Sequence, residues 1–131
     1  MSKILYNLLL CLSTQAFINV HIVPHTHDDL GFVKTLDDYY YGTDQSNTWA
    51  AVYPIFPAIL KELMDDPTKT FTYVEMKFMA MFWEEATDSQ KDQVRQLIRE
   101  GRLEILGAGW SMHDEACTHY EDLINNMFFG H

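Results

Sequence analysis

Positive charge is scarce in this 131-residue chain: nine Lys and Arg stand against nineteen Asp and Glu, for a formal net charge of −10 and a pI near 4.8. Phosphate recognition rests on clustered Lys and Arg, so nucleic acid is excluded as a partner. The acidity suits a neutral or cationic ligand, or a metal, and equally serves plain solubility. Cysteine is nearly missing, with only Cys11 and Cys117. No Cys-x-x-Cys, glycine-rich phosphate loop or Gly-x-Ser-x-Gly elbow occurs. Apolar runs are short as well. Ile4 to Leu12 falls well below the ~20 residues of a membrane span, so no membrane crossing is expected. Linkers, repeats and low-complexity tracts are absent, which points to a single unit of one-domain size.

What is present begins with a secretory leader over residues 1–16. Lys3 supplies its positive end, Ile4 to Leu12 its apolar core, and Thr14 and Ala16 the small residues before a cleavage point. Cleavage there removes Cys11 and leaves Cys117 alone, so the mature piece, residues 17–131, holds no internal disulfide. A leader of this kind directs the chain into the secretory pathway.

The stretch that organises the chain is Val20-His21-Ile22-Val23-Pro24-His25-Thr26-His27-Asp28-Asp29-Leu30-Gly31-Phe32. An apolar, β-branched run from Asn19 to Val23 predicts a strand buried on both faces. If the backbone stays extended past it, His25, His27 and Asp29 share one face while Thr26 and Asp28 take the other. Two imidazoles and a carboxylate converging on one point make a typical half-site for a zinc-like cation. Gly31 allows a sharp turn behind them, and Phe32 sets an aromatic face alongside.

Downstream, Thr35 to Tyr41 predicts a short helix or turn ended by Gly42, and Ser46, Asn47 and Thr48 offer N-caps for the next helix. Trp49, Val52, Tyr53, Phe56, Ile59, Leu60 and Leu63 form a helical stripe that Pro54 and Pro57 must kink or split. Thr70 to Met76 predicts a second strand, and Phe78, Met81 and Phe82 a helix. Thr87 and Gln90 have capping-box spacing before an amphipathic helix ending at Gly101. Arg102 to Leu106 predicts a third strand, and a last helix turns Tyr120, Leu123, Ile124, Met127 and Phe128 inward. The order βαβαβα implies an α/β fold with a parallel sheet and flanking helices. Ligands of such sheets sit beyond the carboxyl ends of the strands, here His25–Phe32, Glu75–Lys77 and Gly107–Glu115.

The third of those ends is Gly109-Trp110-Ser111-Met112-His113-Asp114-Glu115-Ala116. Trp110 offers a platform for the apolar face of a sugar, and Asp114 and Glu115 are carboxylates able to accept hydroxyl hydrogen bonds. Asp114 also suits helix N-capping, a role compatible with lining a pocket.

Pro24-His25-Thr26-His27-Asp28-Asp29-Leu30-Gly31-Phe32 resembles the N-terminal signature of glycoside hydrolase family 38, the class II α-mannosidases. Tyr73-Val74-Glu75 and Gly107 to Ala116 resemble that family's second- and third-strand segments, and the likeness runs from about residue 20 to 131. His-Thr-His-Asp-Asp is closer to the lysosomal acid type than to the Golgi type, which usually has Asn where Asp28 stands. The resemblance implies a zinc-dependent (Zn2+) retaining exo-α-mannosidase that removes terminal α-mannose from N-glycans, in the lysosome or vacuole or outside the cell. It implies the first part of a seven-stranded α/β barrel-like catalytic domain. It assigns zinc to His27 and Asp29, makes His25 a neighbour, and puts Phe32 where the family's aromatic stacks beneath the sugar, while Trp110 and Asp114 stand as substrate contacts on the reading of the third strand end. Phe32 replaces the family's usual Trp, leaving a smaller face without an indole donor. The family's Asp-Pro-Phe-Gly-His segment with the nucleophile does not occur before His131. No catalytic residue is therefore assigned, the remainder of a parent chain is expected, and no hydrolysis is expected of this piece alone.

Two other readings follow from the same residues. In a metal-dependent amidohydrolase or phosphoesterase, His25 and His27 would both be ligands. A truncated, non-catalytic paralogue would use Phe32 and Trp110 only as sugar platforms.

Overall fold

A computed structural model describes residues 18–131; the leader predicted over 1–16, with Cys11, lies outside them. The regular elements are α1 (Leu36–Tyr41), α2 (Ile55–Asp65), β1 (Phe71–Tyr73), α3 (Met76–Glu85), α4 (Asp88–Arg99), β2 (Leu103–Ile105) and α5 (Tyr120–Gly130). β1 and β2 pair in parallel, Phe71 against Leu103 and Tyr73 against Ile105. The fold is therefore α/β, with the α3–α4 crossover expected between parallel strands.

Local chemistry accounts for most element ends. Thr35 caps α1 by accepting from the Asp38 amide, and Gly42 closes it at φ 69°, where a Cβ would be strained. α2 starts only after Pro54, and Pro57 falls in its first turn, where the missing N–H has no partner to lose. The two prolines therefore set the start of the helix rather than kinking it. Ser46, Asn47 and Thr48 lie too far upstream to cap it, and Trp49 is exposed. At α4 the reciprocal Thr87–Gln90 capping box is complete.

The buried side chains of α2, β1, α3, α4 and β2 form one core, including Phe56, Leu60, Tyr73, Phe82, Val94, Leu97 and Leu103. Phe56 stacks on Phe82 at 4.3 Å and meets Tyr73 edge-on at 4.8 Å. A second cluster joins Tyr39 and Tyr40 of α1 to Val52 and Phe78.

Two expectations fail. Asn19–Val23 is not a strand, and Ile18, Val20 and Ile22 are 77–88% exposed. A strand buried on both faces needs a covering layer on each, and none of the described residues provides one. Pairing survives only where β1 offers partners: Thr72 donates to the Pro24 carbonyl (2.9 Å), and Thr26 donates to the Thr72 carbonyl (3.3 Å). His25 thus makes a lone parallel bridge to Thr72, on the edge of β1 opposite β2. The second failure is α5, whose residues Tyr120, Ile124, Met127 and Phe128 are exposed. The side it turns inward carries Leu123, Asn126 and Gly130, because Gly130 and Gly109 let the helix lie against the 108–111 turn. A Cβ on Gly130 would fall well inside contact with the Ala108 carbonyl.

Candidate functional site

The site is built where the three carboxyl ends converge. Residues 25–30 alternate as the sequence predicts even without a regular strand: His25, His27 and Asp29 are exposed, while Thr26, Asp28 and Leu30 are half-buried. Thr26 turns its hydroxyl to β1 and accepts from the Val74 amide at 3.0 Å. His27 and Asp29, on the other side, meet with Nε2 and Oδ1 3.3 Å apart. These two, with His25, line one wall of a cavity of about 550 Å³. Met112, His113, Asp114, Glu115 and Ala116, from the segment after β2, line the other.

The end of β1 ties the two walls together. The first-turn amides of α3 need acceptors from outside the helix. Met76 donates to the Gly109 carbonyl and Lys77 to the Trp110 carbonyl, each at 3.1 Å. Just before them Glu75 is buried, 1% exposed, and its Oε1 accepts from the Asp28 amide at 2.9 Å. Its Oε2 is buried without a hydrogen-bond partner among the described residues. Glu75 thus holds the turn on which His27 and Asp29 sit. The Asp28 carboxyl is raised from 3.8 to about 6, first by burial and then by the negative charges of Glu75 and Asp29.

The predicted site residues divide accordingly. His27, Asp29 and Asp114 share the cavity. Asp114 also closes its own turn, its Oδ1 accepting from the Ala116 (2.6 Å) and Cys117 (3.1 Å) amides, which hold its carboxyl below the usual range. It does not cap α5, whose N-cap is His119. Phe32 is 74% exposed and lies outside the cavity lining. Trp110 is half-buried, also outside that lining, with the Lys77 ammonium 5.4 Å above its ring. His25 donates from Nδ1 to the Thr26 carbonyl (2.7 Å), so the paired side chains are His27 and Asp29, not the two histidines. Sequence reading undervalued Glu75: its only signal was an acid directly after an apolar strand.

An imidazole nitrogen and a carboxylate oxygen fit zinc in donor type. Their separation fits as well, since two donors about 2.1 Å from a tetrahedral ion lie ~3.4 Å apart. Among the described residues no group of three His, Cys, Asp or Glu side chains converges on one point, so the pair is half a site.

Two parallel strands joined through helices, with imidazoles and carboxylates gathered beyond the strand ends, give an α/β domain whose ligand-facing groups lie where such sheets bind their ligands. Comparison with known proteins is more specific: residues 17–131 match the glycosyl hydrolases family 38 N-terminal domain, and the chain belongs to that family. It is 45% identical over 113 residues to a lysosomal alpha-mannosidase of Mus musculus and 43% to that of Homo sapiens, each match covering 86% of this chain. It is 41% identical over 114 residues to an alpha-mannosidase of Canavalia ensiformis, covering 87%. The chain spans 11–12% of the length of these relatives.

Proposed function

We propose that this chain supplies the metal-holding and sugar-binding part of a zinc-dependent retaining exo-α-mannosidase that acts on terminal α-mannose of N-glycans. The observation that carries the reading is the His27–Asp29 pair on the wall of a cavity whose opposite wall bears Asp114 and Glu115. His27 and Asp29 would hold the zinc, which when bound supplies a Lewis acid for neighbouring sugar hydroxyls. Asp114 accepts a sugar hydroxyl at the far wall. Phe32 and Trp110 are the apolar platforms of this reading, Phe32 with its face free and Trp110 with Lys77 across it. Glu75 holds the Asp28 amide and so keeps the two ligands in register.

The nucleophile and the acid/base belong, in this reading, to the remainder of a longer chain arranged as a seven-stranded barrel-like domain. The 131-residue piece binds sugar without hydrolysing it. Work in the lysosome or vacuole, reached through a cleaved leader, agrees with the names of the mammalian relatives.

Metal analysis of purified variants of the full-length protein tests the assignment. His27→Ala and Asp29→Ala should each lose most of the bound zinc, while His25→Ala should retain it. Loss of zinc in His25→Ala would replace this reading with a two-histidine metallohydrolase.

A further inference from the structure

The cavity between residues 25–29 and 112–116 has acceptors in excess. Asp29, Asp114 and Glu115 line it, and among the described residues neither Lys nor Arg does. A sugar hydroxyl both donates and accepts, so such a cavity needs an N–H as well as carboxylates. His27 Nε2 already faces Asp29. His25 commits its Nδ1 hydrogen to the Thr26 carbonyl. That leaves His113.

The tautomer of His113 follows from Asn126. The Asn126 amide exchanges two hydrogen bonds with the backbone of Ser111: Oδ1 accepts from the Ser111 N–H at 2.8 Å, and Nδ2 donates to the Ser111 carbonyl at 2.7 Å. This exchange allows only one orientation of the amide, because the flipped form would set donor against donor and acceptor against acceptor. The second Nδ2 hydrogen then meets His113 Nδ1 at 3.1 Å. Nδ1 must accept, so the neutral ring carries its proton on Nε2. Gly109 leaves room for the bracket, since a Cβ there would lie 2.7 Å from Asn126 Nδ2. Among the described residues His113 Nε2 has no protein partner, and the ring lines the cavity.

We propose that His113 is a sugar-binding residue that donates its Nε2 hydrogen to a hydroxyl oxygen of the bound glycone, with Asn126 as the positioning residue that sets the donor tautomer. The inference rests on the mannosidase reading for its ligand and on the Asn126 bracket for its chemistry. Two measurements on the 131-residue chain separate them. Long-range proton–nitrogen NMR of labelled histidine should show His113 as the Nε2–H tautomer. Asn126→Asp, which puts an acceptor opposite Nδ1, should move the proton to Nδ1; a wild-type ring already protonated at Nδ1 overturns the proposal. Titration with methyl α-mannoside should show about tenfold weaker binding in His113→Ala, the loss of roughly one hydrogen bond. His113→Gln, which keeps an N–H, should recover part of it, with amide spectra confirming that each variant is folded. Wild-type binding that His113→Ala leaves intact refutes the His113 role alone. No mannoside binding by the wild-type chain refutes the mannosidase reading and this inference with it.

Discussion

Glu75 permits a sharp test, because its two oxygens have opposite circumstances. Oε1 accepts from the half-buried Asp28 amide, while among the described residues Oε2 is buried with no partner and no salt bridge reaches the carboxylate. A buried charge without a counter-ion costs several kcal/mol, and a charge-assisted hydrogen bond returns only about 1.5–3 kcal/mol. Glu75→Gln keeps the shape and an acceptor for Asp28 and removes any charge, but it sets an NH2 where Oε2 has no partner, a cost of about 1 kcal/mol. In metal-free buffer the net gain should therefore be about 1 kcal/mol or less, a Tm rise of roughly 4 °C or less for a domain of this size. Glu75→Met fills similar volume without an acceptor and strands the Asp28 amide, so it should fall about 2 kcal/mol below the Gln variant. Urea melts followed by Trp fluorescence, with and without zinc, give both differences. Zinc bound beside His27 and Asp29, as proposed above, would turn a negative Glu75 into an asset, so in a full-length chain that holds the metal zinc should stabilise wild type more than Glu75→Gln. A Glu75→Gln variant less stable than wild type by more than the ~1–3 kcal/mol of an unpaired buried NH2 would refute this reasoning.

Three further outcomes are expected. Lys34 is buried, and its ammonium donates to the carbonyls of Asp44 (2.8 Å), Ala50 (3.0 Å) and Thr48 (3.3 Å). Lys34→Met should cost about 3 kcal/mol and lower the urea midpoint by roughly 1–2 M, with faster amide exchange across the loop before α2. Gly130→Ala drives a methyl into the Ala108 and Gly109 backbone and should lift α5 from the turn at a cost of about 1–3 kcal/mol, seen as faster exchange of the Trp110 amide that bonds the Asn126 carbonyl. The Asp38 carboxyl lies below its usual 3.8 because the Thr35 and Thr43 hydroxyls donate to it. Its support for α1 is present above the ordinary value and lost as pH falls through the lowered one, so Asp38→Asn should flatten that acid limb in a helix-specific NMR titration.

Elements built from nearest neighbours were legible in the chain alone. The Thr87–Gln90 box, the left-handed Gly42 and Gly101 and the β-forming run before Glu75 depend on residues a few positions apart, so local chemistry determines them. Period two also placed His25, His27 and Asp29 on one side, since an extended backbone alternates whether or not a sheet forms around it. Burial and pairing were not legible, because they depend on what lies across space. The apolar Asn19–Val23 run forms no ladder without neighbours, and α5 turns Asn126 inward because Gly130 within it and the distant Gly109 allow the close approach. The buried carboxylate of Glu75 and the bracketed ring of His113 are products of that convergence. Forty-seven residues separate Asp28 from Glu75 and thirteen separate His113 from Asn126, and only the folded chain brings them within hydrogen-bonding distance.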